Sequence, residues 1–201
     1  MHMRYGAVWT RNFWRFAAAC LALVWLGGCA SSVSNTKKVD AYGGSIASLA
    51  VVIAPFDANE AASKSFGSGQ EARSAVNRVA GTVAAYVPYE FPQAFLAAGV
   101  QAAYDMAFDA ANPKVSVPGA SHLLLIQPQQ GDASCNAGGR CLASVRLQMT
   151  LIDLQLKRNV WTGQMVATDT SALTPMTEAA VQKLAQQTVA AMRADGLLPN
   201  K

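Results

Sequence analysis

Charge is scarce in this chain: Asp, Glu, Lys and Arg fill 14% of its 201 positions, and aromatic residues only 8%. So few charges beside 52% hydrophobic residues exclude a disordered chain and leave enough apolar material for one cored domain. Four cysteines are too few for a disulfide-dense miniprotein, and the 15 glycines show no collagen-like period. Two histidines leave little for imidazole-based metal binding or base catalysis. Long apolar runs are missing too. The one continuous run is Phe16–Leu26, and spanning hydrocarbon needs about 20 residues, so a polytopic membrane protein is excluded.

What is present begins at the amino terminus. Arg4, Arg11 and Arg15 precede the run with no carboxylate among them, and Gly27, Gly28 and Cys29 end it. A basic region, a short apolar region and small residues before a cut form a secretory signal, expected over residues 1–28. Leu26-Gly27-Gly28-Cys29 resembles the lipobox of bacterial lipoproteins. That resemblance implies cleavage before Cys29, acylation of its thiol and amine, and, with Ala30 following, delivery to the outer membrane. Two or more acyl chains anchor a protein stably where one does so marginally. Loss of the three arginines leaves thirteen basic residues against twelve acidic ones, which gives no electrostatic footprint for nucleic acid.

Residues 29–44 read as the lipidated cysteine and a flexible tether, because Ala30–Lys38 is small, polar and aperiodic. Residues 45–201 read as one globular domain facing the periplasm. Ser48–Pro55 predicts a strand covered on both faces. Ala72, Val76, Val79, Ala80, Val83 and Val87 recur at helical spacing, with a break expected at Pro88 and Pro92 and a restart over Phe91–Ala98 capped by Gly99. Val100–Ala103 reads as a short strand and His122–Gln127 as a longer one, with a reversal over Cys135–Cys141. Val145, Leu147, Met149 and Leu151 alternate with polar residues. The apolar phase then shifts to Ile152, Leu154 and Leu156, the signature of a bulge. Lys157–Asn159 turns into the facing strand around Trp161, Gly163, Met165 and Ala167. Thr174 and Pro175 open a last helix with the stripe Val181, Leu184, Ala185, Thr188 and Met192, closed by Gly196 and Pro199. The fold class expected is α/β, with α+β as its alternative: a mixed, mainly antiparallel sheet with a long hairpin, packed by amphipathic helices.

Val51–Phe56, Met149–Asp153 and Val160–Gly163 resemble the opening strand and hairpin of the domain shared by the TolB amino terminus, curli-assembly lipoproteins and penicillin-binding-protein activators. The resemblance implies a non-enzymatic envelope domain that binds other envelope proteins. The group's turn carries threonine-glycine where Leu156–Asn159 stands here, a departure from its pattern, though asparagine at 159 is able to take a left-handed conformation.

Cys135 and Cys141 are the cysteines left after Cys20 is removed and Cys29 acylated, and in an oxidising compartment they predict a disulfide. Catalytic chemistry is poorly served. His122 is the one histidine of the processed chain and reads as a surface or edge residue; no G-x-S-x-G elbow accompanies it. Gly67-Ser68-Gly69 reads as a loop, Ser34–Lys37 as a chance S-x-x-K match, and Asp105 with Asp109 as two solvated carboxylates. Cys-x5-Cys with a lone histidine makes no zinc site, and no phosphate-binding glycine loop is present, so neither metal nor cofactor is expected. Tyr86, Tyr89, Phe91 and Phe95 cluster around the two prolines; most of them read as core, and an exposed aromatic patch among them would be the expected partner surface. The sequence thus points to a lipid-anchored lipoprotein on the periplasmic face of the outer membrane, not an enzyme, acting as a binding or assembly module. The alternative is a periplasmic carrier or sensor of a small apolar ligand, which needs a closed cavity of about 300 Å³ or more.

Overall fold

The structure is a computed structural model, and it describes residues 31–56, 69–106, 115–138, 140–170 and 176–198. The predicted signal segment, Cys29, Asp109, Thr174, Pro175 and Pro199 lie outside the described residues.

Six strands and two helices follow one another as β1 (Ser32–Lys38), β2 (Ser48–Ile53), α1 (Gln70–Ala97), β3 (Gln101–Tyr104), β4 (His122–Cys135), β5 (Cys141–Asp153), β6 (Arg158–Thr170) and α2 (Glu178–Ala194). They form one sheet in the order β1-β6-β5-β4-β2-β3. β2 runs parallel to both β3 and β4, while β4, β5, β6 and β1 pair antiparallel in succession. This is the α/β sheet expected, with one strand more.

That strand corrects the tether. Its sequence, Ser-Val-Ser-Asn-Thr-Lys-Lys, has no apolar alternation because β1 is an edge strand with no fully buried residue, and only Val33, Thr36 and Lys38 are partly covered. Side-chain bonds hold it instead. Thr168 N donates to Ser31 Oγ at 3.0 Å, Val33 N donates to Gln187 Oε1 of α2 at 3.1 Å, and Asn35 Nδ2 donates to Gln164 Oε1 at 2.7 Å. Asn35 sits at φ 50, the left-handed region that asparagine tolerates, and the pairing register shifts there between Ser34 and Lys37.

α1 passes unbroken through Pro88 and Pro92, contrary to the break expected. A proline inside a helix costs about 3 kcal/mol. Val83, Val87, Phe91 and Phe95 are all fully buried, each stabilising by about 1.5–3 kcal/mol, so packing outweighs the two prolines. The helix ends as expected: Gly99 is at φ 87, and Val100 N bonds back to Phe95 O at 3.0 Å. α2 ends the same way, with Gly196 at φ 70 and Leu197 N bonded to Met192 O at 2.9 Å. Its amino-terminal cap is Thr177, whose hydroxyl accepts from Ala180 N at 3.4 Å.

Both helices pack on one face of the sheet over the main core, from Leu49 and Val51 of β2 through Val145–Leu151 of β5 to Trp161 and Met165 of β6. A smaller cluster on the other face joins Ala50, Val52 and Leu123 to Val115, Val117 and Ala120, so β2 is covered on both sides, as its unbroken apolar run requires. The β5–β6 hairpin carries the predicted irregularity between Leu151 and Ile152. Its left-handed turn residue is Lys157 at φ 52 rather than Asn159, because Asp153 shapes the turn: its Oδ1 accepts from Gln155 N at 2.9 Å and Leu156 N at 2.8 Å. On β6 the Trp161 ring lies across Gly163, where an added Cβ would come within 2.6 Å of the ring, and its Nε1 donates to Asp195 Oδ2 at 2.6 Å.

Candidate functional site

Three places carry polar chemistry, and the first is sealed. His122 opens β4 and Asp153 closes β5, directly opposite one another, and Tyr42 reaches both from the segment before β2. Tyr42 Oη lies 2.6 Å from His122 Nε2 and donates to Asp153 Oδ2 at 3.0 Å; His122 Nδ1 lies 2.9 Å from Ser121 Oγ. The single Tyr42 proton goes to Asp153 and the single Ser121 proton to the Ser48 carbonyl, so both ring nitrogens of His122 face oxygen lone pairs and the neutral imidazole donates from one of them. His122 is therefore a buried core histidine, 3% exposed, and not the surface or edge residue its strand-end position implied.

Burial pushes His122 below the ordinary imidazole value, and the Asp153 charge opposes it only in part. Burial pushes the Tyr42 hydroxyl up to about 12, reinforced by its bond to Asp153. For Asp153 burial acts to raise the pKa, but the Leu156 amide, Tyr42, His122 and the Gln155 amide outweigh it and hold the carboxyl below its usual range. Ser121, His122 and Asp153 contain the residue types of a hydrolytic triad without its geometry. Tyr42 stands between imidazole and acid, whose nearest atoms are 3.8 Å apart, and Ser121 Oγ also lies 2.8 Å from Ser48 O. The cluster ties the Tyr42 segment, β2, β4 and β5 together.

The second place is the distal end of the β4–β5 hairpin. Cys135 and Cys141 are paired across the strands and bonded, with S–S 2.08 Å and Cα–Cα 4.0 Å. Asn136 Oδ1 accepts from Gly138 N and Arg140 N, both at 3.0 Å, inside the loop they close.

The third is a groove of about 380 Å³ between α1 and α2, lined by Glu90, Gln93, Ala94 and Ala97 from one helix and by Gln182, Gln186, Ala190 and Arg193 from the other. It opens to solvent. Glu90 is 6% exposed, and its Oε2 has no hydrogen-bond partner among the described residues. A smaller apolar pocket of about 240 Å³ lies at the carboxyl end of β2, between Ile53–Phe56, Ala80, Ala84, Tyr104 and Leu147.

The aromatic cluster does not form one surface. Phe91 and Phe95 are 0% exposed and Tyr86 is half-buried; Tyr89 alone projects, 63% exposed, one helical stripe from Gln93 and in line with Leu96. Asp105 is buried, accepting from Ser116 N at 2.6 Å and from Ser116 Oγ, so it is not a solvated carboxylate. Among the described residues, no cluster of His, Cys, Asp and Glu is placed to hold a metal ion, and no helix is long and apolar enough to cross a membrane. Sequence reasoning missed Glu90, and the signal was available: a carboxylate spaced three and four residues from Val87 and Ala94 at a helical period.

The fold so defined is a two-layer α/β domain. No protein-family model matches the chain, and no curated protein matches it in sequence. Among solved structures it is similar to PelC from Paraburkholderia phytofirmans, a dodecamer, at 14% identity and TM-score 0.43 over 85% of this chain and 99% of that one. It is similar to lipoprotein GNA1162 from Neisseria meningitidis at 12% identity and TM-score 0.36, over 74% and 99% of the two chains. Protein XCC0632 from Xanthomonas campestris stands at 15% identity and TM-score 0.38, over 80% and 89%. At these values no function carries over from any of them.

Proposed function

We propose that this chain is a lipid-anchored lipoprotein on the periplasmic face of the outer membrane, acting as a non-enzymatic binding or assembly module for other envelope components. The observation that carries this reading is the lipobox Leu26–Cys29 at the end of a signal-like segment, three residues before the first strand. Three residues reach at most about 10 Å whatever their conformation, so in this reading acyl chains on Cys29 keep the domain near the membrane surface. The resemblance to the TolB and curli-assembly group supports the same role. So does the bonded Cys135–Cys141 pair, which suits an oxidising compartment.

Of two cavities lined by described residues, one is an open, partly polar groove, and the apolar one, at about 240 Å³, is smaller than a pocket for a drug-sized ligand. The helix–sheet core itself is filled by Trp161, Phe91, Phe95 and their neighbours. Fractionation of cells producing the wild-type chain and Cys29→Ala tests the anchor. The wild type is expected in the outer-membrane fraction at the mass of acylated residues 29–201, and the variant is expected to be lost from that fraction, unacylated and with residues 1–28 still attached; identical distributions and masses would remove the reading.

A further inference from the structure

A carboxylate withdrawn from water without a partner is costly. Glu90 is 6% exposed and lines the open groove, with its Oε2 closed to solvent and without a hydrogen-bond partner among the described residues. The other carboxylate with an unpartnered buried oxygen, Asp169, already accepts from Arg78 Nε at 2.9 Å through its second oxygen. Among the described residues Glu90 therefore stands out as the buried carboxylate left without a partner.

The rest of the groove indicates what that is. Ala94, Ala97, Ala98 and Ala190 give it short walls that let a backbone approach closely, while Gln93, Gln182 and Gln186 offer carboxamides that donate and accept as a peptide backbone does. Arg193, the groove's cation, is already engaged within the protein. Tyr89 and Leu96 stand exposed on the adjoining stripe of α1, at 63% and 54%, an aromatic and an aliphatic anchor beside the polar channel. A small free amine would use the carboxylate and leave the glutamines idle, whereas an extended peptide has the backbone amides to pair with them.

We infer that the α1–α2 groove docks a basic extended segment of a partner protein, with an arginine or lysine of that segment seated against Glu90. The inference gives a partner chemistry to the binding module proposed above and rests on that reading.

The test uses the full chain in detergent. The probes are an acetylated, amidated pentapeptide with a central arginine among alanines, the same peptide with neutral citrulline, and spermidine. Calorimetry and backbone amide shifts are expected to show the arginine peptide perturbing Gln93, Ala97, Gln186 and Ala190. Replacing arginine by citrulline, or Glu90→Gln in the chain, is expected to weaken binding by about tenfold or more, the worth of a charge-assisted bond. Glu90→Gln is also expected to raise the unfolding temperature, since it removes the unpartnered charge. Equal binding of the citrulline peptide, shifts away from the groove, no binding at millimolar peptide, or a lower unfolding temperature for Glu90→Gln would each overturn the inference. So would spermidine binding as tightly as the peptide, because the occupant would then be a small amine. The two readings fail separately: absent peptide binding with Cys29 acylated removes only the groove, and an unacylated Cys29 removes only the anchor.

Discussion

His122 shows how far a single side chain's role depends on what the fold places around it. In the sequence it begins a strand beside a serine, a position that faces solvent as readily as core; in the structure Tyr42, eighty residues away in sequence, covers it. The consequence is a pH dependence with a definite sign. A buried histidine whose folded pKa is lowered binds fewer protons folded than unfolded, so its contribution is present above the ordinary value of about 6.5 and lost as pH falls from there. Denaturant titration is expected to show lower stability at pH 5.5 than at pH 7.5, and His122→Gln to flatten that difference. Asp153, also lowered, contributes in the same direction but only in a more acidic window, as pH falls below about 3.9. Stability that stays level or rises between pH 7.5 and 5.5 would contradict the buried neutral imidazole. Gly131 gives a second prediction at this scale. A Cβ there would run into Val76 Cγ1 and contact Phe56, so Gly131→Ala is expected to lower stability by about 1–3 kcal/mol, read as a shifted denaturation midpoint at unchanged slope.

At the scale of elements, legibility followed burial. β2 was readable as an apolar run because both its faces are covered, and β5 by strict alternation because one face is. The phase shift after Leu151 gave away the irregularity now seen at Leu151/Ile152. β1 was unreadable because an edge strand held by Gln164 and Gln187 writes no hydrophobic pattern into its own sequence. α1 was misjudged at its prolines because local cost is visible in the sequence, while the burial of Phe91 and Phe95 that offsets it depends on the sheet beneath. If the helix is continuous, Pro88→Ala restores a backbone bond, and stability should rise toward the about 3 kcal/mol that an interior proline costs. An unchanged midpoint would restore the break. At the hairpin tip, opening Cys135–Cys141 by a double serine substitution is expected to cost about 2 kcal/mol, the loop-closure value for so short a ring, without loss of the native far-ultraviolet spectrum.

For the whole molecule, the α/β class followed from the alternation of element types, but the order of strands in the sheet did not. β4 returns to the far side of β2 from β3, and nothing local to either strand records that choice. The candidate site was less legible than the fold. The disulfide pair was foreseen from cysteine count and spacing, whereas the interhelical groove exists only once α1 and α2 lie side by side, and the expected aromatic surface reduced to Tyr89 when the core claimed Phe91 and Phe95. The proposed function depends on Cys29 being the first residue of the processed chain. The intact mass of the chain extracted from native membranes, under non-reducing conditions, tests this most directly. The expected mass is that of residues 29–201 with acyl chains on Cys29 and two hydrogens missing for Cys135–Cys141. A mass that retains residues 1–28, or one that begins at Cys29 with a free thiol, would contradict the account.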